Sequence, residues 1–331
     1  IRAKSFDAVR GLLPAASLSN VGIYGTGQAY EALLIRMRAH PLPETRFYSD
    51  LMLSELRKVI PSFLRRVDVE DRGVLWSNYF EANRDSMREL ADQLFSQVNP
   101  VSAGEVELID WDPDGERKML AAMLYPYSHL PEKQLVDVVD KLNADERIDL
   151  VRRYVGERGN RRHRPGRALE RLDYRFDILG DYGGFRDLQR HRLLTIEWQS
   201  LTPDHGYEVP VAVTSAGLAD RYDGAMERSR SLHEVLLPEF PEQAAYAVSM
   251  AFRVRYVMQF NAREALHLIE LRSQPQGHPN YRRIAQEMYQ QIATRAGHQA
   301  VAEMFSHVDL SEGEDGRMQA EKALEERRAS Q

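Results

Sequence analysis

Apolar positions recur along this chain with two different periods, and the change of period divides it. Residues 6–17, FDAVRGLLPAAS, are mostly apolar and stop around Pro14. The glycine-bearing NVGIYGTGQ after it predicts a turn. AYEALLIRMRA then has helical spacing, and HPLPE breaks it with Pro41 and Pro43. ETRFYSDLMLSELRKVI predicts an amphipathic helix with Tyr48, Met52, Leu56 and Val59 on one face and Pro61 at its end. A charged helical stretch, EANRDSMRELADQLFSQV, leads to NPVSAG and a new unit at Glu105.

There the period drops to two. EVELIDWD predicts a strand, and RLDYRFDIL sets Leu172, Tyr174, Phe176 and Ile178 on one face with charges on the other, as a half-buried strand requires. Between them GERKMLAAMLYPYS, PEKQLVDVVDKL and ADERIDLVRRYV predict helices. FRDLQRHR predicts a short helix and LLTIEWQSL another strand. Beyond TPDHGYEVPVAV the pattern predicts helices over DRYDGAMERSRSLHEVL, PEQAAYAVSMAFRVRYVMQF, AREALHLIELRS and PNYRRIAQEMYQQIATRAG, with Met250, Phe252, Tyr256 and Met258 in the core. The fold class expected is α/β in the α+β sense, a mixed or antiparallel sheet wrapped by long helices.

Residues 6–62 and 243–296 echo each other. Each runs as an apolar helix, a turn, a helix, a proline break and a long helix, with Arg46 and Arg282 opening the last. The echo predicts a tandem chain: 1–65 as the C-terminal part of a first domain, 66–104 as a helical connector, 105–310 as a second domain and 311–331 as a polar tail.

Composition narrows the function classes. The 331 residues are 43% hydrophobic and 28% charged, ordinary for a globular protein of up to two domains. A net charge of -6 argues against a general nucleic-acid or membrane-surface binder. Without cysteine there is no disulfide, thiol nucleophile or thiolate metal site. No apolar run approaches the roughly 18 residues of a membrane span, and the cytoplasm is the expected location. The chain opens on Ile1, so we expect it to start inside a longer protein.

Against that acidic background, residues 152–192 hold twelve Arg and six Asp or Glu, so this segment is an anion site, a face of paired charges or, with little aromatic interleaving to stack bases, a nucleic-acid surface. It contains two Arg-His-Arg triplets. Arg162, His163 and Arg164 precede Pro165 in a loop, where surface charge is the expected role. Arg190, His191 and Arg192 stand at a helix-to-strand junction in RDLQRHRLLTIEWQS. Guanidinium forks there suit a pyrophosphate through bidentate, charge-assisted hydrogen bonds. GIYGTGQ lacks the G-x-G-x-x-G order of a dinucleotide turn, and His205 has no partner at ligand spacing, so no metal site is expected.

The order of elements around the second triplet resembles the flavin-dependent thymidylate synthases, whose signature is R-H-R-x-x-S-x-N-E-x-S-x-R-Y. Arg190, His191 and Arg192 match it, Thr195 stands at the first Ser and Ser200 keeps the second. Glu197 and Trp198 stand where Asn and Glu are expected, Thr202 and Pro203 replace Arg and Tyr, Arg171 replaces a His, and Asp187 replaces a Gln. VELIDWDPDGERKMLAAMLYPYS is similar to the family's opening strand and helix, and Asn261, Arg263 and Arg272 fill its late Asn-x-Arg and Arg positions. VRGLLPAA is similar to Ala-Arg-x-x-Leu-Pro, with Arg10 in place, whereas the second copy has Val248 and Phe252.

The resemblance implies two thymidylate synthase-complementing-like domains in tandem. It also implies FAD held by Arg190, His191, Arg192, Asn261 and Arg263, and deoxyuridylate (dUMP) held by Thr195, Ser200 and Arg272, with Arg10 added from the first copy. The implied reaction is reductive methylation of dUMP to dTMP, with methylenetetrahydrofolate and NADPH as co-substrates and no protein nucleophile. The implied assembly is a homo-oligomer, a tetramer or a dimer of tandem chains. The alternative is a catalytically silent domain that binds flavin or nucleotide, or only assembles, because the substrate-reading positions depart most from the signature.

Overall fold

The computed structural model describes residues 2–99, 101 and 103–311, so the expected tail lies outside the described residues from 312 onward. The described residues divide into two compact units, one drawn from 2–15, 103–231 and 248–311, the other from 16–99, 101 and 232–247.

The first unit is built on a four-stranded sheet of β1 (Val106–Trp111), β2 (Asp173–Asp181), β3 (Thr195–Trp198) and β4 (Arg253–Asn261). The order is β1-β2-β4-β3 and every pairing is antiparallel. On β2, Tyr174, Phe176 and Ile178 are buried as their alternation predicts, and across the pairing Tyr256, Met258 and Phe260 of β4 are buried with them. The rings of Phe176 and Phe260 stack at 5.7 Å. The helices Gly115–Leu124, Ala262–Arg272 and Pro279–Thr294 bring Met119, Leu120, Leu268, Ile269, Ile284 and Met288 into the same core. Each such side chain contributes about 1.5–3 kcal/mol on burial. Gly115 lets the first of these helices start against the sheet: a Cβ there would lie 2.2 Å from Leu172 Cδ1.

The helix expected over PEQAAYAVSMAFRVRYVMQF is a correction. Only Pro241–Ala244 is α-helical, a 3-10 turn comes next at Ala245–Ala247, and from Arg253 the chain is β4. In that strand the buried positions Val254, Tyr256, Met258 and Phe260 alternate with half-buried or exposed ones, a period of two on β-branched and aromatic residues. The core assignment survives the change: Phe252, Tyr256 and Met258 are buried and Met250 is half-buried.

The second unit packs Leu34 and Ile35 of the helix Gly27–Arg38 against Leu53 of the helix Pro43–Leu56, with Leu64 and Val67. The spacing predicts a buried face of Tyr48, Met52, Leu56 and Val59. Met52 and Leu56 are half-buried against this core, but Tyr48 and Val59 are 51% and 76% exposed, and the fully buried positions are Ser49 and Leu53. The buried row is fixed by Ser49 Oγ, which donates to Leu34 O at 3.1 Å. Of the internal echo, the helix pair recurs. Arg46 donates to His40 O and Pro41 O at 2.6 and 2.9 Å, and Arg282 donates to Ser273 O at 3.0 Å, so each arginine ties its helix back to the chain leaving the preceding one. Residues 17–26 form neither helix nor strand, so β4 has no counterpart within residues 6–62. No described helix is long and apolar enough to cross a membrane.

Candidate functional site

Two strand-to-helix junctions and one strand pairing position the site. β2 passes directly into the helix Tyr182–Leu188, whose N-terminus is capped by Asp181 Oδ1 accepting from Gly184 N at 2.7 Å. β4 passes into Ala262–Arg272, capped by Asn261 Oδ1 accepting from Glu264 N at 3.0 Å. β3 then pairs with β4 with Thr195 opposite Gln259, which carries the residues just before β3 past the end of β4 and over the second helix. The triplet therefore lies outside the helix expected for FRDLQRHR. That helix ends at Leu188, and the chain turns there, with His191 N donating to Leu188 O at 3.2 Å.

His191 points inward. Its Nδ1 is 2.7 Å from Glu264 Oε1, and both side chains are buried, at 3% and 5% exposed. Its Nε2 is 3.1 Å from Arg272 Nε. An arginine nitrogen only donates, so Nε2 accepts and the ring proton resides on Nδ1, where it is donated to Glu264. Asp187 forms the next layer, with its carboxylate 3.0 Å from Arg190, 3.7 Å from Arg10 and 3.8 Å from Arg272. Arg272 also lies over the Tyr281 ring at 5.5 Å, and burial lowers its pKa from the ordinary arginine value. His267 lies one turn along from Glu264, its ring 5.3 Å from that of His191. Burial is the first cause that lowers the His267 pKa. The Glu264 carboxylate opposes it, and His191, Arg164 and Arg161 add to it.

The structure thus gathers Arg10, Arg190, His191 and Arg272 around Asp187 and Glu264. Arg190 is 71% exposed at its side chain. Arg192 is exposed and has no ion pair or side-chain hydrogen bond among the described residues. Asn261 and Arg263 are engaged by the fold. The first is the helix cap, and the second donates to Pro165 O at 3.1 Å and to Glu170 Oε1 at 3.0 Å. Thr195 and Ser200 are exposed, Thr195 within β3 and Ser200 just beyond it. Sequence reasoning misses Glu264 and His267. Their signal is present as Glu-x-x-His three and six residues after a capping Asn, which sets both on one helix face.

His191, Glu264 and His267 offer ligand atoms within 4.8 Å of one another, a set composed like a zinc site. Its surroundings oppose a cation. Arg272 already uses the Nε2 lone pair of His191, Glu264 takes the Nδ1 proton, and the positive charges of Arg161 and Arg164 act on His267.

The upstream triplet is built differently. Arg162 and Arg164 are exposed, and among the described residues His163 Nε2 meets only Asn160 Nδ2, at 3.1 Å. Their loop is pinned by Arg158, which forms a bidentate pair with Glu270 at 2.6 Å for both bonds and donates to His163 O at 2.9 Å. That pair is buried at 3% and 0% exposed.

Comparison with known proteins places these residues among relatives. A family described as thymidylate synthase complementing protein matches residues 107–296. A UPF0159 protein of Chlamydia pneumoniae is 39% identical over 97% of this chain and 60% of its own length. A UPF0159 protein of Thermoplasma acidophilum is 30% identical over 97% of this chain and 63% of its own. The chain thus spans about 60% of the length of the curated relatives it matches. Among solved structures, a UMP/dUMP methylase of Streptomyces cacaoi bound to 5-Br dUMP aligns over 61% of this chain and 96% of its own, at 20% identity and a TM-score of 0.48. A flavin-dependent thymidylate synthase of Helicobacter pylori complexed with FAD and dUMP aligns over 62% of this chain and 100% of its own, at 19% identity and a TM-score of 0.46.

Proposed function

We propose, from the premise that this chain belongs to the thymidylate synthase complementing protein family, that it serves an FAD-dependent methylation of dUMP to dTMP, with methylenetetrahydrofolate as carbon donor and NADPH as reductant. The observation that carries this reading is the exposed guanidinium surface beside the buried Glu264–His191–Arg272 chain. Arg190 and Arg192 are exposed, and Arg192 is unpaired among the described residues. That donor set fits a pyrophosphate, which needs fixed forks at its oxygens. Arg190 and Arg192 would hold the phosphates of FAD, with His191 beneath them and Asn261 and Arg263 fixing the helix start alongside. FAD, when bound, supplies hydride. Arg272 and Arg10, which share Asp187, would face the anionic end of the pyrimidine nucleotide, with the Thr195 and Ser200 hydroxyls toward its sugar or base. No residue here is asked to be a nucleophile. The protein is further proposed to work in the cytoplasm as a homo-oligomer of tandem chains.

The second reading, a flavin or nucleotide binder without turnover, is favoured by Asp187. Its carboxylate already meets Arg10 and Arg272, the two arginines that a substrate anion would need. One experiment separates the two. The purified protein, incubated with FAD and desalted, is expected to keep visible flavin absorbance and to release tritium from dUMP labelled at C5. Arg190→Ala with Arg192→Ala is expected to weaken FAD binding by about one to two decades for each charged hydrogen bond removed, since such a bond is worth roughly 1.5–3 kcal/mol. Flavin without tritium release favours the silent binder, and a colourless protein rejects both flavin readings.

A further inference from the structure

The hydrogen-bond polarity around His191 carries a second step. Glu264 Oε1 accepts from Nδ1 at 2.7 Å and Arg272 Nε donates to Nε2 at 3.1 Å, so the imidazole is a rigid spacer between a carboxylate and a guanidinium. Neither ring nitrogen is left to bind a ligand directly. Glu264 is held in turn, because its own N–H is fixed by the Asn261 cap and its side chain is 5% exposed. At the far end Arg272 receives the relay at Nε, while its guanidinium also rests against Tyr281, over the ring at 5.5 Å. Its Nη1 lies 3.8 Å from Asp187, beyond hydrogen-bond length. The groups facing His191 are therefore Glu264, His267 and Arg272 from the helix Ala262–Arg272, with Asp187 behind Arg272.

We propose that Glu264, acting through the Nδ1-protonated tautomer of His191, is a positioning residue that aims the Arg272 guanidinium. His191 then serves the site by orienting an arginine rather than by touching the ligand. Two features distinguish this from a buried histidine that is merely satisfied. The spacer has a defined direction, from carboxylate to guanidinium, and its output is one of the residues proposed to bind nucleotide. The relay rests on the nucleotide reading only for the ligand of Arg272; the hydrogen-bond chain itself belongs to the protein without ligand.

The test begins without ligand. With nitrogen-labelled histidine and arginine, long-range proton–nitrogen spectra are expected to show His191 protonated at Nδ1 and a protected Arg272 Nε–H. Glu264→Gln keeps an acceptor at Oε1 and is expected to preserve both signals. Glu264→Ala is expected to lose the Nδ1 tautomer and to expose the Arg272 Nε–H to exchange. An unchanged tautomer and Nε–H in Glu264→Ala overturns the relay whatever binds there. The second arm uses dUMP as probe. Glu264→Ala and Arg272→Ala should each lower affinity by about tenfold, and the double variant should lose no more than Arg272→Ala alone. Glu264→Gln should stay within about threefold of the parent. Fully additive losses overturn the coupling. Spectra that behave as expected alongside an Arg272→Ala protein that binds dUMP unchanged would retain the relay and sink the nucleotide reading instead. Glu264→Gln also guards against misfolding, since it fills the same volume.

Discussion

Arg162-His163-Arg164 and Arg190-His191-Arg192 carry the same side chains in the same order, yet only in the second is the imidazole inside the protein. The difference lies in the chain immediately downstream of each triplet. Pro165 and a 3-10 turn at Arg167–Arg171 come after the first, and nothing there draws His163 inward. β3 comes after the second, and its pairing with β4 brings His191 against Glu264 and Arg272 of the helix Ala262–Arg272. The anchors differ too. The upstream loop is held by Arg158, a charge outside its triplet, whereas the downstream turn is held by His191, the centre of its own. A basic motif thus becomes a site where strand register supplies a buried acid for its central residue.

The largest effect should come from cutting the upstream anchor. Arg158→Ala removes a bidentate partner from Glu270, which is fully buried and would be left with the His307 N–H donating to Oε1. Leaving a buried carboxylate without its counter-charge costs about 3–5 kcal/mol. Urea unfolding should show that loss as a lower midpoint with an unchanged slope. A loss below about 1 kcal/mol would mean that Arg158 does not anchor the loop and that the two triplets are held alike.

A smaller effect links the triplets electrostatically. His267 is held below the ordinary histidine value of 6.5, first by burial, with Arg164 and Arg161 adding to the shift. A histidine whose folded pKa is lowered binds fewer protons folded than unfolded. Its contribution to stability is therefore present above the unfolded value and is lost as pH falls through the window below about 6.5. His298, also lowered chiefly by burial, acts with the same sign. Melting temperature should fall as pH is lowered from about 7 to about 5, and His267→Asn should flatten part of that fall. In Arg164→Gln, the His267 titration followed by NMR should move up toward the ordinary value. A titration that stays in place would show that the upstream triplet does not reach the downstream site.

How much of the fold and site is legible in the sequence depends on the physics of each element. The alternation at 172–178 and the amphipathic helix at 279–294 are plain, because one face of each is buried. β4 is not, since Ala244, Ala247 and Val248 lead into it without a break and its flanking arginines suit a helix as well. Motif order points to Arg10, Arg190, His191 and Arg272, and the structure brings them together, yet it does not point to the acids that organise them. In the sequence Asp187 is only a departure from a signature, and Glu264 an ordinary first-turn acid. Which carboxylate meets which arginine depends on the pairing of β3 with β4, where Thr195 lies opposite Gln259 across a long stretch of intervening chain.

The smallest effect is the sharpest control on the contrast. Arg162 is exposed, and among the described residues only its backbone N–H is engaged, donating to Asn160 Oδ1 at 2.9 Å. Substituting such a side chain changes stability by no more than about 0.5 kcal/mol. It should also leave FAD and dUMP affinity within about twofold, since long-range attraction between exposed charges is screened over roughly 8–10 Å in physiological salt. Arg162→Ala should therefore match the parent in urea unfolding and in both titrations, whereas the corresponding first arginine downstream, Arg190→Ala, should weaken FAD. Equal losses from the two would make the triplets interchangeable as sources of positive charge. The buried imidazole at 191 would then have no bearing on which of them binds.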